Sequence, residues 1–436
     1  MFSLEDGFEG AADVRFIFDD ENEEGRFLGT PLPVSGHPAI LSLLMKRFEA
    51  WNEGWKGKAL VVLGMMSGTS ADGVDGAVLR FEEGKAPEFL LGMSRAYPQE
   101  LRKALLQAPE IPLPELASLH RRVGEIFGEM AEACLARARE EGVRVGLVAS
   151  HGQTVFHHSG EGPRVSLQIG EADLIARRSG LPVVFDFRAA DIAAGGEGAP
   201  LVPAGDLDLF GRAERPLAIL NLGGIANLTL LGPSGDECMA WDVGPANCLS
   251  DALCRREEPH GPGYDRDGRL ALTGRVQPRL LERLIGHPFF RRSPPKSTGR
   301  ESFGLRFLDE ALALFPPFPV ADILATLAAL VGRSVASDLD GLPEAWRPRR
   351  ILVAGGGLRN QAMMKALRDS LAPREVESCE VLGIAPQFRE AACFAALGRR
   401  ALLNLPGSFP STTGVEAPTV LGKWAFPGLP GGGKPE

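Results

Sequence analysis

Gly64-Met65-Met66-Ser67-Gly68-Thr69-Ser70-Ala71-Asp72-Gly73-Val74-Asp75 lies between an apolar run, Leu60 to Leu63, and a β-type alternation, Val74 to Phe81. Small residues between two strands let the backbone turn sharply and aim its N–H groups inward. Such a nest, with the hydroxyls of Ser67, Thr69 and Ser70, suits phosphate oxygens. Asp72 and Asp75 are hard oxygen ligands that could place a magnesium ion beside it. A tight hairpin with solvated aspartates is the competing reading of the same residues. The stretch is not a Walker loop, which needs a Lys-Ser/Thr pair opening a helix. No GxGxxG stands in a strand–helix setting either, so a bound nucleotide calls for another architecture.

The pattern returns in the second half. Pro216–Leu222 reads as a strand, Gly223-Gly224 as a turn and Ile225–Leu231 as a strand. Two lobes, each lending a phosphate-facing hairpin to one cleft, would explain the repetition, and chance likeness of two hairpins would also. Then Trp241-Asp242-Val243-Gly244-Pro245 puts an aspartate at the end of a strand stopped by Gly-Pro. A carboxylate projecting there could take a proton from water or a hydroxyl, or close an Asx-type turn on itself. Arg350–Ala354 is a strand running into Gly355-Gly356-Gly357 and a helix from about Gln361 to Leu371. Close backbone approach and a helix N-terminus favour an anion there. A plain strand-to-helix turn is the alternative.

Between these landmarks, residues 114–141 read as an amphipathic helix. Leu116, Leu119, Val123, Ile126, Phe127 and Met130 share one face, and Gly142 stops it. A strand from Val143 to Ala149 then delivers Ser150-His151-Gly152-Gln153-Thr154 as a loop, where open α/β sheets place ligands. Val183–Phe185 is a short buried-type strand leading to Asp186, Arg188 and Asp191. Arg188 could hold an acidic ligand bidentately, or pair with Asp186 or Asp191. Residues 264–268 look like a loop and 275–290 helical. Lys296–Glu301 is a ligand loop or a solvated turn. Asp322–Leu339 and Glu390–Leu403 are helices, and the tail from Pro406 reads as irregular.

The chain has 436 residues, enough for two cores and a cleft, and 44% of them are hydrophobic. A formal net charge of −9 argues against a general nucleic-acid binder. The six cysteines form no CxxC pair, as expected of reduced, mostly buried thiols in a cytoplasmic protein. No apolar stretch reads as long enough to span a membrane, and no basic start precedes an apolar run. Residues 1–58, with acidic Asp19 to Glu24 and a short helix from Pro38 to Trp51, read as a flexible extension. The expected division is 59–212 for the first lobe, 213–426 for the second and 427–436 for a tail, with the last helix able to pack back on the first lobe.

Taken together, GMMSGTSADGVD, ASHGQTVFH, DFRAADIAAGGEGAPLVP, NLGGIANLT, WDVGPANCLSDA, PKSTGRESF, DILATLAAL and VAGGGLRN occur in that order from about Val61 to Phe426. The set closely resembles the anhydro-N-acetylmuramic acid kinase family. The resemblance implies an α/β, two-lobed, actin-like ATPase fold, a duplicated ribonuclease H-like architecture with a central nucleotide cleft. It implies ATP and Mg2+ as cofactors and 1,6-anhydro-N-acetylmuramic acid as substrate. The ring would be opened by water and O6 phosphorylated, giving N-acetylmuramic acid 6-phosphate in cell-wall recycling.

By motif, Gly68, Thr69, Ser70 and Asp72 would form the first phosphate loop, Gly223 and Gly224 the second, and Gly355, Gly356 and Gly357 the adenosine-side turn. Asp242 would be the general base. His151, Gln153, Thr154, Arg188 and Asn247 are the candidate sugar contacts, and Asp72 and Asp75 the candidate metal ligands. A homodimer is what the family implies, with no nucleic-acid or membrane partner expected. Three positions depart from the family. Ala246 replaces a glycine, which would strain it by roughly 1 kcal/mol or more were its φ positive. Ala189 and Ala190 stand where further arginines are usual, and Ala329 stands where a glutamate helps orient the attacking water. Ala190 and Ala329 motivate one alternative, a degenerate sugar or nucleotide sensor without turnover; a kinase for another amino sugar, or a plain ATPase, is a third reading.

Overall fold

The computed structural model describes residues 59–160 and 162–428. The acidic cluster and the Pro38–Trp51 helix lie outside the described residues.

β1 (Leu60–Ser67), β2 (Gly73–Phe81) and β3 (Glu88–Ala96) form an antiparallel meander. β4 (Leu147–His158) then runs parallel to β1, and β6 (Val183–Phe185) parallel to β4. In the second sheet β7 (Leu217–Leu222), β8 (Ile225–Leu231) and β9 (Cys238–Pro245) form the same meander. β10 (Arg350–Ala354) runs parallel to β7, and β11 (Glu375–Ser378) parallel to β10. The orders β3-β2-β1-β4-β6 and β9-β8-β7-β10-β11 are therefore one topology used twice. This is the duplicated, actin-like α/β fold. The first sheet also carries β5 (Val165–Ile169) against β4 and β12 (Lys423–Ala425) antiparallel to β6.

β1 is buried along nearly its whole length because both faces of its sheet are covered. Side chains alternate faces along a strand. Leu63 and Met65 share a core with Phe127 and Met130 of the helix Leu113–Glu140. Gly64 turns to the other face, where an added Cβ would come within 2.4 Å of the Ala395 nitrogen. That nitrogen belongs to the helix Arg389–Leu402, which lies against the first sheet although it follows the second in sequence. It crosses the helix Val202–Phe210 so closely that a Cβ on Gly205 would lie 2.5 Å from Cys393 Cβ. Arg389 grips Asp206 there with two buried hydrogen bonds, one at 2.8 Å and one from Nη2 to Oδ2.

Several expectations need correcting. β4 starts four residues later than Val143 and runs through Ser150–Thr154, so that segment is a strand interior, with the positive φ of Gly152 marking an irregularity. The tail is not irregular up to Phe426, because β12 rejoins the first sheet. Residues 275–290 contain two short helical pieces, Pro278–Ile285 and Pro288–Arg291. The helix Val320–Asp340 is long and apolar enough to cross a membrane by length and composition, but 67% of that window is buried in the second core. All six cysteines are free, five of them buried.

Candidate active site

The β1–β2 turn, the β7–β8 turn and the glycine turn after β10 all stand at C-terminal ends of parallel strands, the edge where α/β sheets bind ligands. In the first hairpin the Ala71 amide closes the turn on Gly68 O at 3.0 Å, with Ala71 itself at φ +51°. Ser67 Oγ lies 2.7 Å from Gly73 O and 2.6 Å from Gln153 Oε1. Gln153 Nε2 donates to Gly68 O and Thr154 O, both at 3.1 Å. Arg102 reaches across from the helix Gln99–Leu106 to Asp72 Oδ1 at 2.7 Å. Thr69 is exposed at the tip, and Gly68 and Ser70 are half-buried beside it.

The second hairpin is held by backbone. Amides of Ala246, Asn247 and Cys248 donate to Gly224 O, Gly223 O and Gly224 O at 2.9, 3.1 and 3.0 Å. Asn247 Nδ2 adds bonds to Leu222 O at 3.2 Å and Gly223 O at 2.7 Å. The turn after β10 lies on the same spot. Gly355 has φ +84°, and a Cβ there would meet Asn221 Oδ1 at 2.7 Å, while one on Gly357 would meet Leu222 Cβ at 2.6 Å. Gly356 faces open space. A cavity of ≈ 490 Å³ abuts this turn, lined by Leu272, Leu358, Gln361, Met364 and Lys365 among others.

Asp242 sits in β9, three residues before the end of that strand. Its Oδ2 accepts from Ser297 Oγ at 3.1 Å and Thr298 N at 2.9 Å, so the segment Lys296–Glu301 is a strap tied to it, with Ser297, Arg300 and Glu301 still exposed. Burial pushes the Asp242 carboxyl up, the two donors oppose that, and the charge of Glu301 adds to the rise. Next along, Gly244 at φ +146° has no room for a side chain, since a Cβ would lie 2.7 Å from Phe290. Ala246 has φ −110°, so the strain expected of a positive φ is absent.

Arg188 pairs with neither Asp186 nor Asp191. Asp186 bonds Lys423 at 2.6 Å, and Asp191 accepts from Gly198 N and Thr413 Oγ1, each at 2.6 Å. The guanidinium instead donates to His151 Nε2 at 3.2 and 2.9 Å and to Gly198 O at 2.6 Å. Accepting at Nε2 requires a neutral His151 whose Nδ1–H donates to Gly152 O at 3.0 Å. Burial first, then the Arg188 charge, holds this imidazole well below its ordinary value. Burial likewise pulls the Arg188 guanidinium down to about 10.

Glu390, in the first turn of the helix Arg389–Leu402, went unread in the sequence. Burial pushes its carboxyl up, opposed by the charges of Arg389 and Arg188, with Asp75 adding to the rise. The charges of Arg188 and Asp75 are thus among those that act on it. An acid opening a helix was its only local signal. The candidate sugar contacts divide accordingly. Arg188 is one of those charges. His151 engages Arg188, and Gln153 and Asn247 engage the hairpins. Thr154 Oγ1 accepts from Gln168 Nε2 at 3.2 Å.

Each of the two expected metal ligands has a protein partner. Asp72 is tied to Arg102, Asp75 accepts from Ser94 Oγ, and no three His, Cys, Asp or Glu converge among the described residues. These residues do not fit a preformed magnesium cage. That suits an ion which usually binds through one or two carboxylates, water and substrate phosphates.

The sequence matches the family described as Anhydro-N-acetylmuramic acid kinase over residues 60–427. A relative of that name from Xanthomonas oryzae pv. oryzae (strain MAFF 311018) is 40% identical over 370 residues, covering 84% of this chain and 97% of its own. Another, from Idiomarina loihiensis (strain ATCC BAA-735 / DSM 15497 / L2-TR), is 39% identical over 363 residues, with 83% and 97% covered. Among solved structures, a ROK family glucokinase from Streptomyces griseus, in complex with glucose and AMPPNP, matches with a TM-score of 0.35. It is 15% identical and covers 78% of this chain and 99% of its own.

Proposed function

The chain belongs to the anhydro-N-acetylmuramic acid kinase family, and from that premise we propose the reaction and the residues that carry it. Water attacks the anomeric carbon of 1,6-anhydro-N-acetylmuramic acid, and Asp242 takes its proton. The C1–O6 bond breaks, its electron pair stays on O6, and O6 attacks the γ-phosphorus of ATP in line. ADP leaves, and the product is N-acetylmuramic acid 6-phosphate. The reaction serves peptidoglycan recycling. A cytoplasmic setting is part of the reading, supported by six unpaired thiols.

The observation that carries this reading is the fusion of base and phosphate hairpin into one unit. The strand bearing Asp242 continues directly into the three amides that hold Gly223 and Gly224. A carboxylate raised by burial suits a general base, because proton transfer is best served by a pKa closer to the working pH. Both strap donors go to Oδ2, which leaves Oδ1 to take the proton. Phosphates would lie against the two hairpins, with Thr69 and Ser70 on one side and Gly223 and Gly224 on the other. The Arg300 guanidinium, 3.1 Å from where a Gly224 Cβ would stand, would meet charge on the transferring group. Adenosine would occupy the cavity beside Gly355–Gly357. Arg188, held by His151, would meet the lactyl carboxylate, and Glu390 would hydrogen-bond the sugar.

The test is a mass-spectrometric product assay in ¹⁸O-water, with an ¹⁸O-free product control for anomeric exchange. A 6-phosphate carrying ¹⁸O at the anomeric oxygen, lost in Asp242→Asn, is expected. Ligand-induced thermal shifts without product would replace the kinase reading with that of a sensor. Faster turnover of another amino sugar would reassign the substrate.

A further inference from the structure

Behind the strap lies a buried ion pair that the proposed chemistry does not use. The Lys296 side chain is 0% exposed, and its Nζ meets Asp338 Oδ1, on the helix Val320–Asp340, at 2.6 Å. The other oxygen of Asp338 accepts from Trp241 Nε1 at 2.9 Å. Trp241 immediately precedes Asp242, and Lys296 immediately precedes Ser297. One carboxylate therefore pins strand and strap at matching points, a single residue short of the base and a single residue short of its hydroxyl donor. Asp242 N donates to Lys296 O at 2.8 Å, which joins the two segments again. The ammonium also sits 4.9 Å from the centroid of the Phe289 ring.

Buried ion pairs are poor stabilisers, because desolvation offsets much of the attraction and apolar replacements are often as stable. In some systems they are kept because they fix one geometry. A general base needs that, since a misplacement of about 1 Å can cost about 10²-fold in rate.

We propose that Lys296 and Asp338 are positioning residues of this reaction, holding Ser297 Oγ and Thr298 N on Asp242 Oδ2 so that Oδ1 faces the attacking water. The proposal rests on the reading of Asp242 as the base. The neighbours that set the charge state of Asp242 are these two donors and Glu301, with Asn227 opposite it on β8.

The test uses the full chain as Lys296→Met/Asp338→Leu, which strands no buried charge, beside Trp241→Phe and Asp242→Asn. In the double variant kcat is expected to fall about 10- to 100-fold, with KM for both substrates and calorimetric ATP affinity unchanged. The acid limb of its kcat–pH profile moves to higher pH, because loosened donors no longer stabilise the carboxylate. Trp241→Phe moves the limb the same way by less. A double variant with wild-type kcat and an unmoved limb overturns the proposal while Asp242→Asn stays inactive. So does a rate loss matched by equal losses in ATP affinity and melting temperature, which marks a structural role. If Asp242→Asn keeps its activity, the base reading itself fails and this one with it.

Discussion

The two glycine hairpins occupy the same place in the same topology, yet they are held by different means. Gly68–Asp72 has one backbone bond from outside the hairpin, Tyr97 N to Asp72 O at 3.0 Å, and its tip is propped by side chains from afar, Gln153 of β4 and Arg102 of a helix. Gly223-Gly224 is propped by the main chain that follows Asp242 and by Asn247. A loop held by side chains can be loosened one contact at a time. A loop held by backbone amides is as rigid as the strand that supplies them, and here that strand carries Asp242, the proposed base. Duplication explains the shared topology, and only the supporting contacts distinguish a hairpin that adapts from one that fixes geometry.

The largest test of this contrast is Asp242→Asn. It should lower kcat by about 10²–10⁴-fold, the usual worth of a general base. It should also leave the fold as stable as before or more so, because burial penalises the carboxylate it removes. A melting curve beside the rate assay checks both, and a destabilised variant would mean the charge is structural. Asn247→Ala strips two bonds from the second hairpin, at roughly 1 kcal/mol each. Weaker ATP binding and a lower kcat together are expected, since hairpin and base move as one unit. An effect on ATP affinity alone would break the comparison.

Gln153→Ala should act only on the first hairpin, at roughly 0.5–1.5 kcal/mol for each bond lost, because Ser67 keeps Gly73 O and Gly68 O keeps the Ala71 amide. Its expected signature is weaker ATP binding with the acid limb unmoved, read by titration calorimetry and a pH–rate profile. The His151 relay predicts a pH effect on stability. Its folded value lies below its unfolded one, so the contribution is present above about 6.5 and lost as pH falls below it. Melting temperature against pH, compared with His151→Gln, should show the wild type losing more on the acid side. Smallest of all, Arg102→Ala removes a half-exposed pair with Asp72 and should change stability by about 0–1 kcal/mol. A larger loss of ATP affinity would make Arg102 part of the phosphate site.

What the sequence disclosed was local. Apolar runs against small-residue turns placed both hairpins, and Ile225–Leu231, Arg350–Ala354 and Gln361–Leu371 fell within their observed bounds. Asp242 drew attention because Gly-Pro follows it, yet Gly-Pro does not stop the strand, which runs on to Pro245. What stayed hidden depends on distant partners. Ser67 finds Gln153 86 positions away, and Asp242 finds Thr298 56 positions away. The neutral role of His151 needs Arg188 beside it, and the place of Glu390 needs a helix to cross from one lobe to the other. At Ala246 the sequence could state only the condition, strain if φ were positive, and the backbone there keeps a negative φ.

The return of the chain to its first sheet has a consequence for synthesis. The second sheet is contiguous from Leu217 to Ser378 and has all its strands once that stretch has left the ribosome. The first sheet begins at Leu60 but lacks an edge until Lys423–Ala425 emerges, and its covering helix Arg389–Leu402 is made scarcely earlier. Since domains generally fold as units during translation, the half born first is expected to finish last. A nascent chain halted before Arg389 should resist protease from Leu217 onward while its first sheet is still cut.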